Sequence, residues 1–296
     1  MTTLESLRSG HGAVATRRRV INVVACSLLG LSVVVALTPL ALVLGYTVSR
    51  GARSISWHFL SHSMRGVGPR DKTGGAYHAI VGTLEQVLLA SMLAVPFGLL
   101  VAIYIVEYGR GRLRMAIRFL VDVMTGIPSI VAGLFIFAFW VLGLHQGFSG
   151  FAAALALAVL MLPVVVRSTE EMLKLVPDAL REASYALGVP RWRAVVSVVL
   201  PTASAGITTG VMLAVARVTG ETAPLLLTAF GFDNTNTNPF KGAQQGLPMY
   251  VFSQAGSAFS TAINRAWAGA LALIAVVLIL TVVARILTAR NRLEAG

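Results

Sequence analysis

The chain is poor in charge and almost free of cysteine. Of its 296 residues, 12% are Asp, Glu, Lys or Arg and 56% are apolar, whereas soluble domains carry about a quarter charged residues. Its 24 Lys and Arg outnumber 12 Asp and Glu, giving a net charge of +12. The single cysteine, Cys26, excludes an internal disulfide. This composition argues against an ordinary soluble domain and indicates a membrane protein.

Motifs for catalysis and cofactor binding are also missing. No segment matches the phosphate-binding loop G-x-x-x-x-G-K-[ST], so we expect no ATP hydrolysis by this chain. His58 and His62 have zinc-ligand spacing, but Phe59 occupies the position of a metalloprotease glutamate and no third ligand is evident. We therefore predict no catalytic residue, no metal site and no cofactor, which makes an intramembrane enzyme a weak alternative.

Long runs without charge predict the fold class. A helix needs about 20 apolar residues to cross a bilayer. Continuous rather than alternating hydrophobicity favours helices over a barrel, so we predict an all-α polytopic membrane protein with six transmembrane helices. The runs cover residues 20–49, 86–106, two spans within 123–166 separated by a turn at 143–150, 194–216 continuing to about 227, and 266–287.

Basic residues predict the orientation, because Lys and Arg accumulate in cytoplasmic loops. With both ends inside, sixteen basic residues fall on the cytoplasmic side and seven outside. The first external loop is an exception to this rule, because it has five basic residues from Arg50 to Lys72. Because the basic residues flank apolar spans, the net charge does not indicate nucleic-acid binding. We predict a multi-pass protein of the inner membrane with both termini in the cytoplasm.

These spans divide the chain into five predicted segments, with no soluble domain among them. They are a cytoplasmic tail (1–19), a first transmembrane helix (20–48), an extracytoplasmic loop (49–78), a core of five helices (79–289) containing a cytoplasmic loop at 167–201, and a second tail (290–296).

The fifth span contains charged residues, which are costly in a membrane and usually functional. Arg217 and Glu221 are four residues apart, so on a continuous helix they would share one face and pair. One interpretation is a structural ion pair. The other is a pathway for an oxyanion, since the planar guanidinium matches phosphate oxygens, with the helix unwound or kinked between Gly220 and Pro224. Arg217, Glu221 and Thr222 are the candidate pathway residues.

The cytoplasmic loop contains the signals of a short isolated helix. Asp178 suits a helix N-terminus, and Leu180, Ala183 and Leu187 recur at helical spacing. Gly188 can adopt the left-handed cap conformation, and Pro190 follows as a stop signal. We therefore predict a short helix that ends at Gly188.

The same loop carries a family resemblance. Glu182-Ala183-Ser184, three residues, Gly188 and then Leu200-Pro201 resemble the EAA loop of ABC importer permeases, with Ser184 in place of the usual second alanine. Three further stretches, 95–108, 125–131 and 220–226, look like the PstA-type permease subunits of phosphate-specific ABC importers. The resemblance extends from about Gly74 to the end of the sequence.

The resemblance implies a type I, MetI-like importer permease fold and inward transport of inorganic phosphate. It implies that Glu182, Ala183, Ser184 and Gly188 shape a helix that docks onto an ATPase. The implied partners are a homologous sister permease (PstC-like), two ATPase subunits (PstB-like) and an extracytoplasmic phosphate-binding protein (PstS-like). The alternatives are a permease for another oxyanion, such as sulfate or molybdate, and a secondary transporter that works without an ATPase.

Overall fold

The computed structural model describes the backbone of residues 3–293 and the side chains of residues 17–286. In this part of the chain the structure is nearly all helical. The helices are α1 (Thr3–Ser54), α2 (Trp57–Ser61), α3 (Tyr77–Ile103), α4 (Gly111–Thr125), α5 (Ser129–Ile136), α6 (Gly150–Lys174), α7 (Asp178–Ala186), α8 (Arg191–Ala194), α9 (Leu200–Thr219), α10 (Ala223–Thr228), α11 (Leu247–Ala255) and α12 (Ser260–Leu293). Three π-helical segments extend them: Tyr104–Tyr108 after α3, Phe137–Gly143 after α5, and Val195–Val199 between α8 and α9.

The chain forms two compact units that divide between Arg50 and Gly51. Among the described residues, the first unit consists of α1 as far as Arg50, and this helix contains Pro39. The predicted first span, 20–48, lies inside α1, and the helix continues to Ser54. The second unit holds every other helix.

Five helices within the described residues have the length and hydropathy of a membrane span. They are Arg17–Ser54, Tyr77–Tyr108, Gly150–Lys174, Arg191–Thr219 and Ser260–Ile286. Gly111–Thr125 and Ser129–Gly143 meet at an angle of 105° and make a sixth span if the bent pair is counted as one. The chain is therefore a multi-pass membrane protein.

Pro128 lies inside the third predicted span, where proline suggests a kinked helix, and the structure differs from that prediction. The helix stops at Thr125, and Pro128 takes an extended conformation (φ −59°, ψ 139°) before α5 begins. Proline disfavours helical geometry in the preceding residue, here Ile127, so Gly126–Pro128 breaks the helix instead of kinking it. The resulting α4 is amphipathic, with exposed Leu113 and Phe119 among arginines.

Small residues allow α3, α6 and α9 to pack closely in the second unit. Lipid tails are as apolar as these side chains, so close packing, rather than a hydrophobic driving force, holds membrane helices together. A methyl group at Gly210 would overlap Ser168, and one at Gly98 would overlap Val165. In the sequence, Gly206 and Gly210 form a G-x-x-x-G pattern that favours close helix packing, and both approach α6 closely in the structure. The core consists mainly of Val87, Ala90, Ala94, Ala153, Ala154, Leu157, Met161, Val165, Ala214 and Val218.

A buried polar network around Gln244 closes the second unit at the end opposite to α7. Its Nε2 donates to Glu85 Oε2 (2.5 Å) and to the carbonyl of Asn236 (3.0 Å). Its Oε1 accepts from Gln86 Nε2 (3.1 Å). Gln244 is 1% exposed, and these bonds hold the segment between α10 and α11 against the first turns of α3.

Candidate functional site

The short helix predicted within the loop 167–201 is present as α7. Pro177 precedes it in an extended conformation and Asp178 occupies its first turn. At the other end Gly188 has φ +75°, its N–H donates to the Tyr185 carbonyl (2.9 Å), and Val189 N–H donates to the Ser184 carbonyl (3.1 Å). The left-handed cap predicted at Gly188 is confirmed. The chain then turns into α8 at Arg191.

One face of α7 is turned away from the rest of the second unit. Ser184 is the one buried residue among the nine in α7. Leu180, Glu182, Ala183 and Tyr185 are exposed, and Leu187 just beyond the helix is 84% exposed. Apolar side chains flanking a carboxylate make this face suitable for helix-in-groove contact with another protein. Of the four predicted docking residues, Glu182, Ala183 and Gly188 lie on the exposed side and Ser184 lies against the membrane helices.

Arg181 attaches the opposite face of α7 to two membrane helices. Its Nε and Nη2 donate to Glu107 Oε1 (3.2 and 3.0 Å), in the π-helical turn that follows α3. Its Nη1 donates to the carbonyl of Val176 (2.6 Å) and its Nη2 to that of Leu173 (2.8 Å), at the end of α6. Nothing in the sequence indicates that Arg181 and Glu107 form a pair.

A second ionic cluster lies next to this attachment and centres on Glu170, which is 1% exposed. Its carboxylate binds Lys174 (2.7 Å), Arg167 (3.1 Å) and Arg118 of α4. Arg167 also pairs with Asp122 of α4. Three cations around one buried carboxylate fasten α4 to α6. The spacing Arg167, Glu170, Lys174 on one helix was the available sequence signal.

The three candidate pathway residues lie where the fifth span is interrupted. α9 ends at Thr219, Gly220 caps it, and Thr222 precedes α10. Arg217 is exposed and Glu221 is half-buried. In the part of the chain that the structure describes, no hydrogen bond or ion pair joins Arg217 to Glu221. The predicted pairing is wrong because the helix ends before Glu221, so spacing by four does not place the two on one face.

The interruption itself agrees with the predicted unwinding between Gly220 and Pro224. The N–H groups of Gly220 and Glu221 donate to carbonyls in the last turn of α9 (both 3.2 Å). Pro224 contacts α5 closely, since a methyl group at Gly133 would lie 2.6 Å from Pro224 Cα. α5 therefore holds the start of α10 in place while the Arg217 guanidinium remains accessible.

The geometry combines a short, mostly exposed helix with an interrupted membrane helix that carries charged residues, and sequence comparison identifies the class. The family described as binding-protein-dependent transport system inner membrane component matches residues 94–293. The chain belongs to this family of importer permeases. It is a transport subunit and is not itself catalytic.

Curated relatives narrow the family further. The chain is 47% identical over 285 residues to the phosphate transport system permease protein PstA 1 of Mycobacterium tuberculosis H37Rv, covering 94% of this chain and 92% of that protein. It is 42% identical over 225 residues to PstA of Yersinia pestis, covering 76% of each. The predicted resemblance to PstA-type permeases is confirmed.

Solved structures support the fold. A chain of a bacterial ABC transporter involved in alginate import aligns with a TM-score of 0.60 at 14% identity, covering 94% of this chain and 98% of that one. A chain of the inward-facing MetNI methionine ABC transporter aligns with a TM-score of 0.55 at 19% identity, covering 82% and 100%. The predicted MetI-like permease fold is confirmed.

Proposed function

We propose that this chain is the permease subunit of an ATP-driven importer that carries inorganic phosphate into the cell. The observation that supports this most strongly is the 47% identity over nearly the whole chain to a phosphate permease PstA. The arrangement of the chain agrees with that function. It has a helix available for docking at one end of the second unit and an accessible arginine at an interrupted span.

ATP is hydrolysed on separate subunits in this proposal. The sequence has no G-x-x-x-x-G-K-[ST] loop. Each of two ATPase subunits binds one permease, and α7 is the contact made by this chain. Glu182 and Ala183 lie on the docking face, Gly188 sets the direction in which the chain leaves it, and Ser184 seats the helix. A homologous sister permease and an extracytoplasmic phosphate-binding protein complete the complex.

The loop that carries α7 faces the cytoplasm in this proposal, and so do both termini. The sixteen to seven distribution of basic residues supports that orientation. The proposed segments remain the tails 1–19 and 290–296, the first span 20–48, the outer loop 49–78, and the core 79–289 with its loop 167–201.

Phosphate passes Arg217, Glu221 and Thr222. Because no carboxylate is bonded to Arg217 within the described residues, its guanidinium keeps its donors for phosphate oxygens. Glu221 offsets this charge at a distance when the path is empty. Thr222, at the start of α10, adds a hydroxyl to the same interruption.

Transport measurements test the proposal. Cells that lack this chain should take up labelled phosphate poorly and recover uptake when it is restored. Excess unlabelled phosphate should compete, whereas sulfate and molybdate should not; competition by sulfate or molybdate instead would assign another oxyanion. Purification distinguishes the remaining alternative, because an importer permease purifies with a bound ATPase and a secondary transporter purifies without one.

A further inference from the structure

We propose that Arg181, Glu107, Tyr108 and Arg191 form a clamp that positions α7 on the membrane helices. Through it, displacement of α7 by a docked ATPase is passed to the end of α3 and the end of α6 together. This inference rests on the proposed docking function of α7 and adds the route by which the motion enters the membrane.

The attachment of α7 is polar rather than hydrophobic. Ser184 is its single buried residue, so α7 has no apolar face packed against the second unit. A helix of nine residues is also too short to be stable by itself. The hydrogen bonds of Arg181 to Glu107, Leu173 and Val176 are therefore the main polar attachment of α7.

Arg181 is suited to connecting three segments at once. The guanidinium has five donors in a rigid plane. Here it bonds one carboxylate in the turn after α3 and two backbone carbonyls at the end of α6. The Arg181 side chain is 13% exposed and that of Glu107 is 3% exposed. A buried pair of this kind resists separation, because parting leaves an uncompensated charge.

The chain that follows the turn at Gly188 is held by Tyr108, the residue next to Glu107. The Arg191 guanidinium lies 5.1 Å from the centre of the Tyr108 ring, a cation–π contact. Glu107 and Tyr108 are adjacent, and they hold the chain on both sides of the turn at Gly188. Force applied to the exposed face of α7 consequently reaches α3 at both points.

The decisive measurement is the number of phosphate ions imported per ATP hydrolysed. It uses the complete complex in lipid vesicles with its phosphate-binding protein. Glu107→Gln keeps the shape of the side chain and removes its charge. Arg181→Lys keeps the charge and removes the planar guanidinium with its several donors. Each should lower the ratio at least about fivefold while ATP hydrolysis persists. If these contacts only stabilised the protein, the variants would lower the amount of assembled complex. The number of phosphate ions imported per ATP by the remaining complex would then be unchanged.

Asp178→Asn is the matched control. Asp178 also accepts a bond from Arg181 Nη1 (3.0 Å), but its side chain is 88% exposed and it lies on α7 itself. Its loss should leave the ratio at the wild-type value. A drop as large as that of Glu107→Gln would show that the charge of α7, and not the clamp, sets the ratio.

If the Glu107 and Arg181 variants do not assemble into a complex, substitutions at the exposed contact between Arg191 and Tyr108 still test the clamp. Arg191→Gln and Tyr108→Leu change exposed side chains, which rarely destabilise a protein. Each should lower the ratio about twofold. Wild-type ratios in both would overturn the clamp. If the wild-type chain bound no ATPase or imported no phosphate, the proposed function would fail, whereas wild-type coupling in every variant would reject only the clamp.

Discussion

Charged side chains are arranged differently around α7 and around the interruption between α9 and α10. Near α7, buried Glu107 and Glu170 are each bonded to arginine or lysine. At the interruption, exposed Arg217 and half-buried Glu221 share no ion pair among the described residues. Charges that satisfy one another hold helices in fixed relation, whereas an unpaired guanidinium keeps its donors for a ligand. We therefore expect substitutions in the first region to affect coupling and those in the second to affect the transported anion.

The largest expected effect is at the turn after α7. Gly188→Val places a β-branched residue at φ +75°, which costs about 1–3 kcal/mol or forces the turn into another conformation. A Cβ atom there would meet nothing within 4 Å, so the effect is due to the backbone alone. We expect phosphate uptake to be lost while the protein still accumulates in the membrane. Uptake by cells and immunoblots of membranes measure both.

Gly147 provides the matched control for that variant. It has φ +72° and also has open space around its Cβ position, but it lies in the turn before α6, away from α7. Gly147→Val should therefore impose similar strain and leave most uptake intact. Gly188→Asn should restore transport, because asparagine tolerates the left-handed conformation. Equal loss from both valine variants would remove the special role of the turn at Gly188.

The next largest effect concerns the unpaired arginine. Arg217→Lys keeps the charge but loses the planar fork, so we expect phosphate uptake to fall by at least about tenfold. Arg112→Gln, which changes an exposed arginine of α4, should transport normally. The double variant Arg217→Gln with Glu221→Gln should be abundant and inactive. Near-normal uptake by the double variant would mean that these charges serve packing rather than the anion.

A moderate effect on stability is expected between the two regions, where α6 meets α9. Gly210→Ala would place a methyl group against the short side chain of Ser168, which cannot move aside, and overpacking of this kind costs about 1–3 kcal/mol. Gly206→Ala meets the flexible side chain of Met172 and should cost less. Thermal unfolding of the purified complex measures both. Equal melting temperatures for wild type and Gly210→Ala would contradict the close packing described here.

The smallest effect on transport is expected from single cysteine substitutions, which test the orientation of the chain in the membrane. After Cys26→Ser, a cysteine at exposed Arg112 or Leu187 should resist an impermeant thiol reagent in intact cells, and one at exposed Thr237 should react. Transport should remain normal in the Arg112→Cys and Thr237→Cys variants, which lie outside the docking face of α7. Labelling of Leu187→Cys from outside would reverse the orientation and separate α7 from a cytoplasmic ATPase.

Local features were predictable from the sequence. The cap at Gly188, the start of α7 near Asp178 and the interruption after Gly220 depend on glycine, proline and helix-end preferences over a few residues. The break before α5 was underestimated as a kink, although Gly126 and Pro128 were visible, because the sequence does not reveal whether neighbouring helices satisfy the freed backbone groups.

Long-range polar contacts were not predictable in the same way. Glu107 and Arg181 are 74 residues apart and Gln86 and Gln244 are 158 apart, so only the packing of helices brings them together. The proposed pairing of Arg217 with Glu221 failed for a related reason. Spacing by four implies contact only on a continuous helix, and the end of α9 at Thr219 removes that condition.

The π-helical turn at Tyr104–Tyr108 makes the clamp sensitive to chain length. An α-helix advances about 100° per residue, and a π-helical turn holds one residue more than an α-helical turn. Rewinding this segment as α-helix would swing the Glu107 side chain around the axis, away from Arg181. Insertions and deletions between Ile103 and Glu107 should consequently be poorly tolerated even where each side chain can be exchanged. For the clamp, the number of residues in this short stretch should therefore matter more than most of their identities.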